Sequence, residues 1–374
     1  MIHNKESLKA RLIAFYLPQY HPIPENNEWW GKGFTEWTNV AKAKPLFRGH
    51  YQPNLPADLG FYDLRIPEVR EAQAELAKEH GIAGFCYWHY WFGKGRRLLE
   101  RPFTEVLKSG KPEFPFCLAW ANHSWSGIWL GNPDKILIEQ TYPGKEDYQA
   151  HFAAVVEAFA DSRYLTVDGK PIFVIFEPYA LPNPREFTDY WQQLSQQAGF
   201  PGIYFVGLSF SLSWNHLADG FAAFTSHPPK DVINRLHYSR KNPIYRLSSR
   251  LLGKNLPNLF KQTVSGPHRY SYKKLMPYMT PTISPSSNFL PNIMPNWDNT
   301  PRSGWRGYVL ENSTPQLFGG VLRKAIEQVS NKPVSERIVF LKAWNEWAEG
   351  NYLEPDQKWG DAYLKVVQEV MQEN

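Results

Sequence analysis

The chain has 374 residues, 43% hydrophobic and 21% charged, with a formal net charge of +5. That length supports a substantial core, and the charge is mild, with no Lys/Arg-rich tail of the kind that serves as a nucleic-acid-binding arm. No apolar run is long enough for a membrane span, and MIHNKESLKARLIAFYLPQYH lacks the apolar stretch of a secretory signal, so a cytoplasmic protein is expected, with membrane association left open.

Eight short apolar runs bounded by turn residues predict strands. In chain order they are 12–17 (LIAFYL), 82–88 (IAGFCYW), 114–120 (FPFCLAW), 171–177 (PIFVIFE), 202–207 (GIYFVG), 220–224 (GFAAF), 289–297 (FLPNIMPNW) and 338–344 (IVFLKAW). None alternates, so both faces should be buried, as in a parallel sheet covered by helices. Helical patterns fall between them at 67–80, 146–161, 184–198, 315–330 and 362–372; the first has Pro67 at its start and Gly81 just past its end. This alternation predicts an α/β fold, a single (β/α)8 TIM barrel over 1–374. A doubly wound open sheet is the alternative, but no GxGxxG or P-loop turn follows the first strand. Cys86 and Cys117 sit in apolar runs and read as core thiols.

Aromatics make up 16% of the chain, including 15 Trp, and the polar ones gather at the carboxyl ends of the predicted strands. After strand 1 come Tyr16, Tyr20 and His21, and further on Glu36 and Trp37. Strand 2 ends in Trp88, His89 and Trp91, and strand 3 in Trp120, Asn122, His123 and Trp125. Strand 4 carries Glu177 and Tyr179, strand 6 His227, and strand 7 Trp297 and Asn299. Strand 8 ends in Trp344, Asn345, Glu346 and Glu349, with Tyr352 and Glu354 beyond. Barrel active sites are assembled from the ends of several strands on that face, so these residues are expected to converge on one cleft. Flat rings hold sugars, and a pair of carboxyl groups can protonate a leaving oxygen and act as base or nucleophile. Glu346 and Glu349 are the predicted catalytic pair and the others, Glu354 apart, predicted substrate contacts.

Other chemistries are disfavoured. The 11 His include no HExxH pair, and no Cys/His cluster has zinc spacing, so no metal or cofactor is expected. No GxSxG elbow is present. Nucleic acid is not an expected partner, because the basic residues do not interleave with the aromatics. They concentrate at 230–274, where eleven Lys/Arg meet one acid, Asp231. A basic insertion over 230–288, on the rim between strands 6 and 7, is predicted, with Ile244, Leu247, Leu251 and Leu252 as a short amphipathic face. It reads either as a solvated insertion or as a surface for an acidic glycan, a lipid-linked glycan at the membrane, or a partner.

FYLPQYHPIPENNEWWGKGFTEWTNVAKAKPLFRGHYQPNLPADLGFYD, GFCYWHYWFGKGRRLLERPF, FCLAWANHSW and KAWNEWAEGNYLEPD resemble the WbsX-type proteins of bacterial surface-polysaccharide clusters. These are glycoside hydrolase family 99-like domains related to endo-α-mannosidases, and the resemblance runs over about residues 10–370. It implies a (β/α)8 barrel and metal-independent chemistry on an oligosaccharide or polysaccharide. By the same resemblance Glu349 is the general acid/base and Glu346 the base that helps the sugar 2-hydroxyl attack its own anomeric carbon, retaining configuration through a 1,2-anhydro sugar. One departure stands out: the mannosidases carry His where this chain has Ala348. A retaining glycoside hydrolase-like enzyme is therefore expected. The alternatives are a glycosyltransferase of O-antigen or capsule biosynthesis and a non-catalytic glycan-binding barrel.

Overall fold

The computed structural model describes residues 9–127, 132–239, 266–284 and 287–373. Eight parallel strands wind into a closed barrel, in the chain order predicted. They are β1 (Arg11–Tyr16), β2 (Gly84–Trp91), β3 (Phe116–Trp120), β4 (Lys170–Ile175), β5 (Tyr204–Ser209), β6 (Ala223–Ser226), β7 and β8 (Ile338–Leu341). Strand β7 is two short segments, Phe289–Leu290 and Asn292–Ile293, separated by Pro291. The first pairs with β6 and the second with β8, so the sheet closes across the proline. Proline cannot donate to a ladder, which explains the split of a run that the sequence presents as continuous. The ring is completed by β8 against β1, in the register Leu12 to Val339 and Ile13 to Phe340.

The strands are buried on both faces because helices cover the outside. Going round the ring these include α1 (Pro24–Trp30), α2 (Glu36–Lys42), α3 (Pro67–Glu79), α4 (Arg101–Ser109), α5 (Lys145–Ala160) and α6 (Pro184–Gln197). They continue with α7 (Lys230–Ser239), α8 (Tyr272–Met279), the single turn α9 (Thr300–Ser303), α10 (Pro315–Val329) and α11 (Ala362–Gln372). Pro at the first helical turn recurs in α3, α4, α6 and α10; there its missing N–H costs nothing and its φ already suits a helix. Inside the barrel, Phe15 stacks on Trp88 at 4.8 Å and on Phe340 at 5.4 Å, forming the aromatic floor beneath the site.

The basic segment between β6 and β7 is only partly described, and Ile244, Leu247, Leu251 and Leu252 lie outside the described residues. What is described of it belongs to the fold. Helix α8 buries Tyr272, Leu275 and Met279 and packs between α7 and α10, so these residues are part of the helical ring. Among the described residues, no helix is long and apolar enough to cross a membrane.

Candidate active site

The chain leaves β8 under tight backbone control. Trp344 N–H donates to the Phe15 carbonyl at 2.7 Å. The Asn345 amide grips Leu17 twice, accepting from its N–H at 2.7 Å and donating to its carbonyl at 3.0 Å. Tyr20 Oη donates to the Asn345 carbonyl and accepts the Trp347 N–H. Asn345–Glu346 then pairs with Asn351–Tyr352 around a 3₁₀ turn, Trp347–Glu349. In that tight turn residues three apart eclipse one another, so the carboxyls of Glu346 and Glu349 emerge on one side. Gly350 closes the turn at φ +57°, where a Cβ would stand 2.8 Å from the backbone nitrogen of Asp298. Only glycine meets both demands. The Asp298 N–H in turn holds the Glu349 carbonyl at 2.6 Å, and its carboxylate is fixed by His50, Gln52 and Thr300.

Both acids open on a cleft of about 320 Å³ at the carboxyl ends of the strands. Trp30, Trp88, Tyr90, Trp125 and Phe176 give it flat walls, and Gln19, His123, Arg302 and Lys342 line it with polar groups. Trp88 Nε1 donates to Glu346 Oε1 at 2.9 Å. Arg302, on α9, donates from Nε to Glu36 at 2.8 Å and from a terminal nitrogen to Glu349 at 2.5 Å. Glu36 is fully buried, so Arg302 links a carboxylate behind the cleft wall to Glu349 on the cleft itself.

The two acids are driven apart in acidity. Burial pushes Glu349 up to about 7, reinforced by the Glu346 charge and opposed by Arg302. Burial also acts on Glu346, but Lys342, the hydrogen bond from Glu349, Arg302 and the Trp88 N–H together hold it below the usual glutamate range. Near neutral pH the pair therefore shares one proton, carried by Glu349 and donated to Glu346. One protonated acid beside one carboxylate is the arrangement acid–base chemistry at a glycosidic oxygen requires.

Of the predicted substrate contacts, Trp88, His123 and Trp125 line the cleft with the acid pair, and Glu177 and the half-exposed Tyr179 stand on the rim beyond Phe176. The others do not line it. The aromatic run in 87–91 lies inside β2 and not beyond it, so its side chains alternate. Trp88 and Tyr90 face the cleft, whereas His89 meets His151 at 2.9 Å and Trp91 bonds Asp147, both on α5. The same alternation turns Tyr16 outward to Gln73 on α3, and Trp120 against His151 and Phe187. His21 Nδ1 donates to the Pro18 carbonyl, and Trp37 donates to the Tyr62 carbonyl. Asn122 ties the Glu177 backbone at 2.8 Å on both sides. Asn299 caps Tyr308 N–H, Tyr352 bonds Asp356, and Trp344 is fully buried. Tyr20, Glu36 and Asn345 support the acid turn from behind. His227 and Trp297 stand behind the wall, against Phe176 and Lys342. Glu354 is likewise structural, accepting from Tyr62, Gln73 and Trp347.

Sequence reasoning missed Arg302 and Lys342. A lone lysine in the apolar run IVFLKAW was a usable signal for the second. Nothing in TPRSGW marks Arg302, which only the folded chain brings to Glu349. Ala348 is fully buried and does not line the cleft.

A parallel barrel presenting a split-acidity carboxyl pair among aromatic walls defines the class of a glycan-processing enzyme. Residues 12–367 match the family of WbsX glycosyltransferases, and the chain belongs to that family. It is 36% identical over 367 residues to the uncharacterized protein WxcX of Xanthomonas campestris pv. campestris, in two strains; the match takes in 98% of this chain and 50% of WxcX. The chain thus spans about half the length of these relatives. Among solved structures, the fold is similar to a GH99 endo-alpha-mannosidase from Bacteroides thetaiotaomicron, at TM-score 0.56 and 14% identity, covering 96% of this chain and 95% of that one. A glycoside hydrolase-like protein is similar at TM-score 0.58 and 14% identity, with 98% and 94% covered. At such identities the likeness establishes the fold.

Proposed function

We propose that this domain carries out retaining chemistry at a glycosidic bond of a bacterial oligosaccharide or polysaccharide, with Glu349 as general acid/base and Glu346 as base. The observation that carries the reading is a pair of glutamates brought side by side by one 3₁₀ turn onto an aromatic cleft, Glu346 bonded by Trp88 and Glu349 by Arg302, with burial raising Glu349 and neighbouring charges lowering Glu346. In the first half-reaction the sugar 2-hydroxyl loses its proton to Glu346 and its oxygen bonds to the anomeric carbon. The bond from that carbon to the leaving oxygen breaks, and Glu349 supplies that oxygen with a proton. In the second, Glu349 takes a proton from an incoming hydroxyl as its oxygen bonds to the anomeric carbon, the bond from that carbon to the 2-oxygen breaks, and Glu346 returns its proton to the 2-oxygen. Water as the incoming hydroxyl gives hydrolysis; a sugar hydroxyl gives transfer.

The family's designation as glycosyltransferases favours transfer as a second reading, in which the same acids serve assembly of a surface polysaccharide. One experiment addresses both. Wild type, Glu349→Gln and Glu346→Gln are incubated with oligosaccharides released from bacterial surface polysaccharides, in water enriched in oxygen-18, and products are read by mass spectrometry. Hydrolysis labels the new reducing end, and transfer yields unlabelled adducts one or more sugars longer. Each variant should lose about a thousandfold or more of either activity. Equal turnover by Glu349→Gln and wild type would remove the acid pair from the chemistry.

A further inference from the structure

Beside the acid pair lies a group of nitrogens with no hydrogen-bond partner among the described residues. Lys342 is 6% exposed, opens on the cleft, and forms no side-chain hydrogen bond or ion pair among the described residues. Its one close partner is the face of Trp297, 4.9 Å from the ammonium. His123 also lines the cleft, and its Nδ1 is buried without a partner. Behind them both ring nitrogens of His227 and the indole nitrogen of Trp297 are buried and unsatisfied as well. Phe176 stands between the two histidines, 5.0 Å from His123 and 4.5 Å from His227. The nearby carboxylate that could have served, Asp231, is already committed to Arg235 and to backbone N–H groups at the start of α7.

Buried polar groups in folded proteins are nearly always bonded, and a cluster of exceptions calls for a reason. An ammonium offers three donors and no acceptor, so its natural complement is an oxyanion with several lone pairs. The geometry points to an anion subsite, formed by Lys342 and His123 on the Phe176 side of Glu346, that takes a charged oxyanion on the sugar substrate. The shared chemistry is a carboxylate or phosphate: the carboxylate of an acidic sugar, or the phosphate of an activated sugar donor. This rests on the reading of the cleft as a glycan site and narrows its substrates to anionic ones. It also gives Lys342 a role apart from its influence on Glu346. Its charge helps hold Glu346 low, yet among the described residues Lys342 forms no ion pair with that carboxylate, so its donors remain available to a ligand.

The test is a binding measurement that needs no turnover. Wild type, Lys342→Met, Lys342→Arg and His123→Phe are titrated with inorganic phosphate, D-glucuronate and D-glucose by calorimetry, with folding checked by thermal unfolding. Wild type should bind at least one of the two anions saturably. Lys342→Met should weaken that binding about tenfold or more while changing glucose binding less than about twofold, and Lys342→Arg should restore most of it. Phosphate alone would identify an activated donor, and glucuronate alone an acidic sugar. No saturable binding of either anion by wild type, or equal anion binding by Lys342→Met, would overturn the proposal. If Lys342→Met fails to fold, the same comparison between wild type and His123→Phe decides. Repeating the titration with Glu349→Gln separates the two ideas. Anion binding stands or falls here whatever that variant does to turnover, and turnover decides the acid pair alone.

Discussion

Replacing Arg302 and replacing Glu36 should move the alkaline limb of the pH–rate profile in opposite directions. Arg302 is 11% exposed and lies between two carboxyls, at 2.8 Å from Glu36 and 2.5 Å from Glu349. Its charge favours ionised Glu349, and Glu36 absorbs part of that charge. Arg302→Met therefore lets Glu349 keep its proton to higher pH, above the value of about 7 set in the wild type. Glu36→Gln leaves the guanidinium acting on Glu349 alone and brings that value down. A charge in direct contact shifts a carboxyl by about one to three pH units, so each limb should move by roughly one unit or more. Stability separates the variants again. Arg302→Met strands Glu36, whose other side-chain partner is Asn39 at 3.2 Å, and breaking a buried pair costs about 3–5 kcal/mol. For a chain of this size that lowers Tm by roughly 4–6 °C. The assays are kcat/KM against pH on whichever oligosaccharide is turned over, and thermal unfolding. Limbs that shift together, or stay put while both proteins are folded, would refute the charge relay and leave Arg302 as a purely structural residue.

Three further outcomes follow from the same geometry. Trp88→Phe keeps the stacking on Phe15 but removes the N–H bonded to Glu346, so the acidic limb should move up and kcat/KM fall about tenfold, read from the same pH profile. Gly350→Ala forces a Cβ to within 2.8 Å of the Asp298 backbone at positive φ; we expect about 1–3 kcal/mol of lost stability by denaturant unfolding and a loss of activity out of proportion to it. Burial lowers His89 to about 3, and His151 well below its ordinary value. An unfolded chain takes up protons below about pH 6.5 that these two refuse, so their contribution to stability is full above that pH and is lost as pH falls through the window from about 6.5 to about 3. Replacing both by leucine removes both partners of one hydrogen bond, so unfolding free energy at pH 7 should change little while its decline from pH 6.5 to 5 flattens by up to about 2 kcal/mol per histidine.

The barrel was legible because its strands are continuous apolar runs and its helices carry proline at their starts. Those are local signals that survive reading one segment at a time. Strand extents were less so: the run from Gly84 to Trp91 looks like a strand followed by an aromatic loop, yet pairing carries the strand through Trp91. That error explains His89 and Trp91. Placed on a loop they could turn to substrate, but within a strand the period of two sends them to α5. Tyr16 and Trp120 fail as contacts for the same reason. The acid pair was readable because its spacing and its motif lie within one turn of chain, whereas its electrostatics depend on Glu36 and Arg302, which are 266 residues apart in sequence.

The departure at Ala348 changes meaning in the fold. Its side chain is buried and is not part of the cleft lining, so a histidine at this position in the mannosidases cannot be mapped onto a missing substrate contact here. A difference buried in packing alters substrate choice only by moving its neighbours, and Glu349 beside it is anchored separately, through Asp298 and Arg302. Residues that face the cleft bear on specificity directly. Lys342, just past the end of β8, adds a charge to the cleft wall, so in the reading proposed above it bears on the choice among glycans more directly than the alanine does.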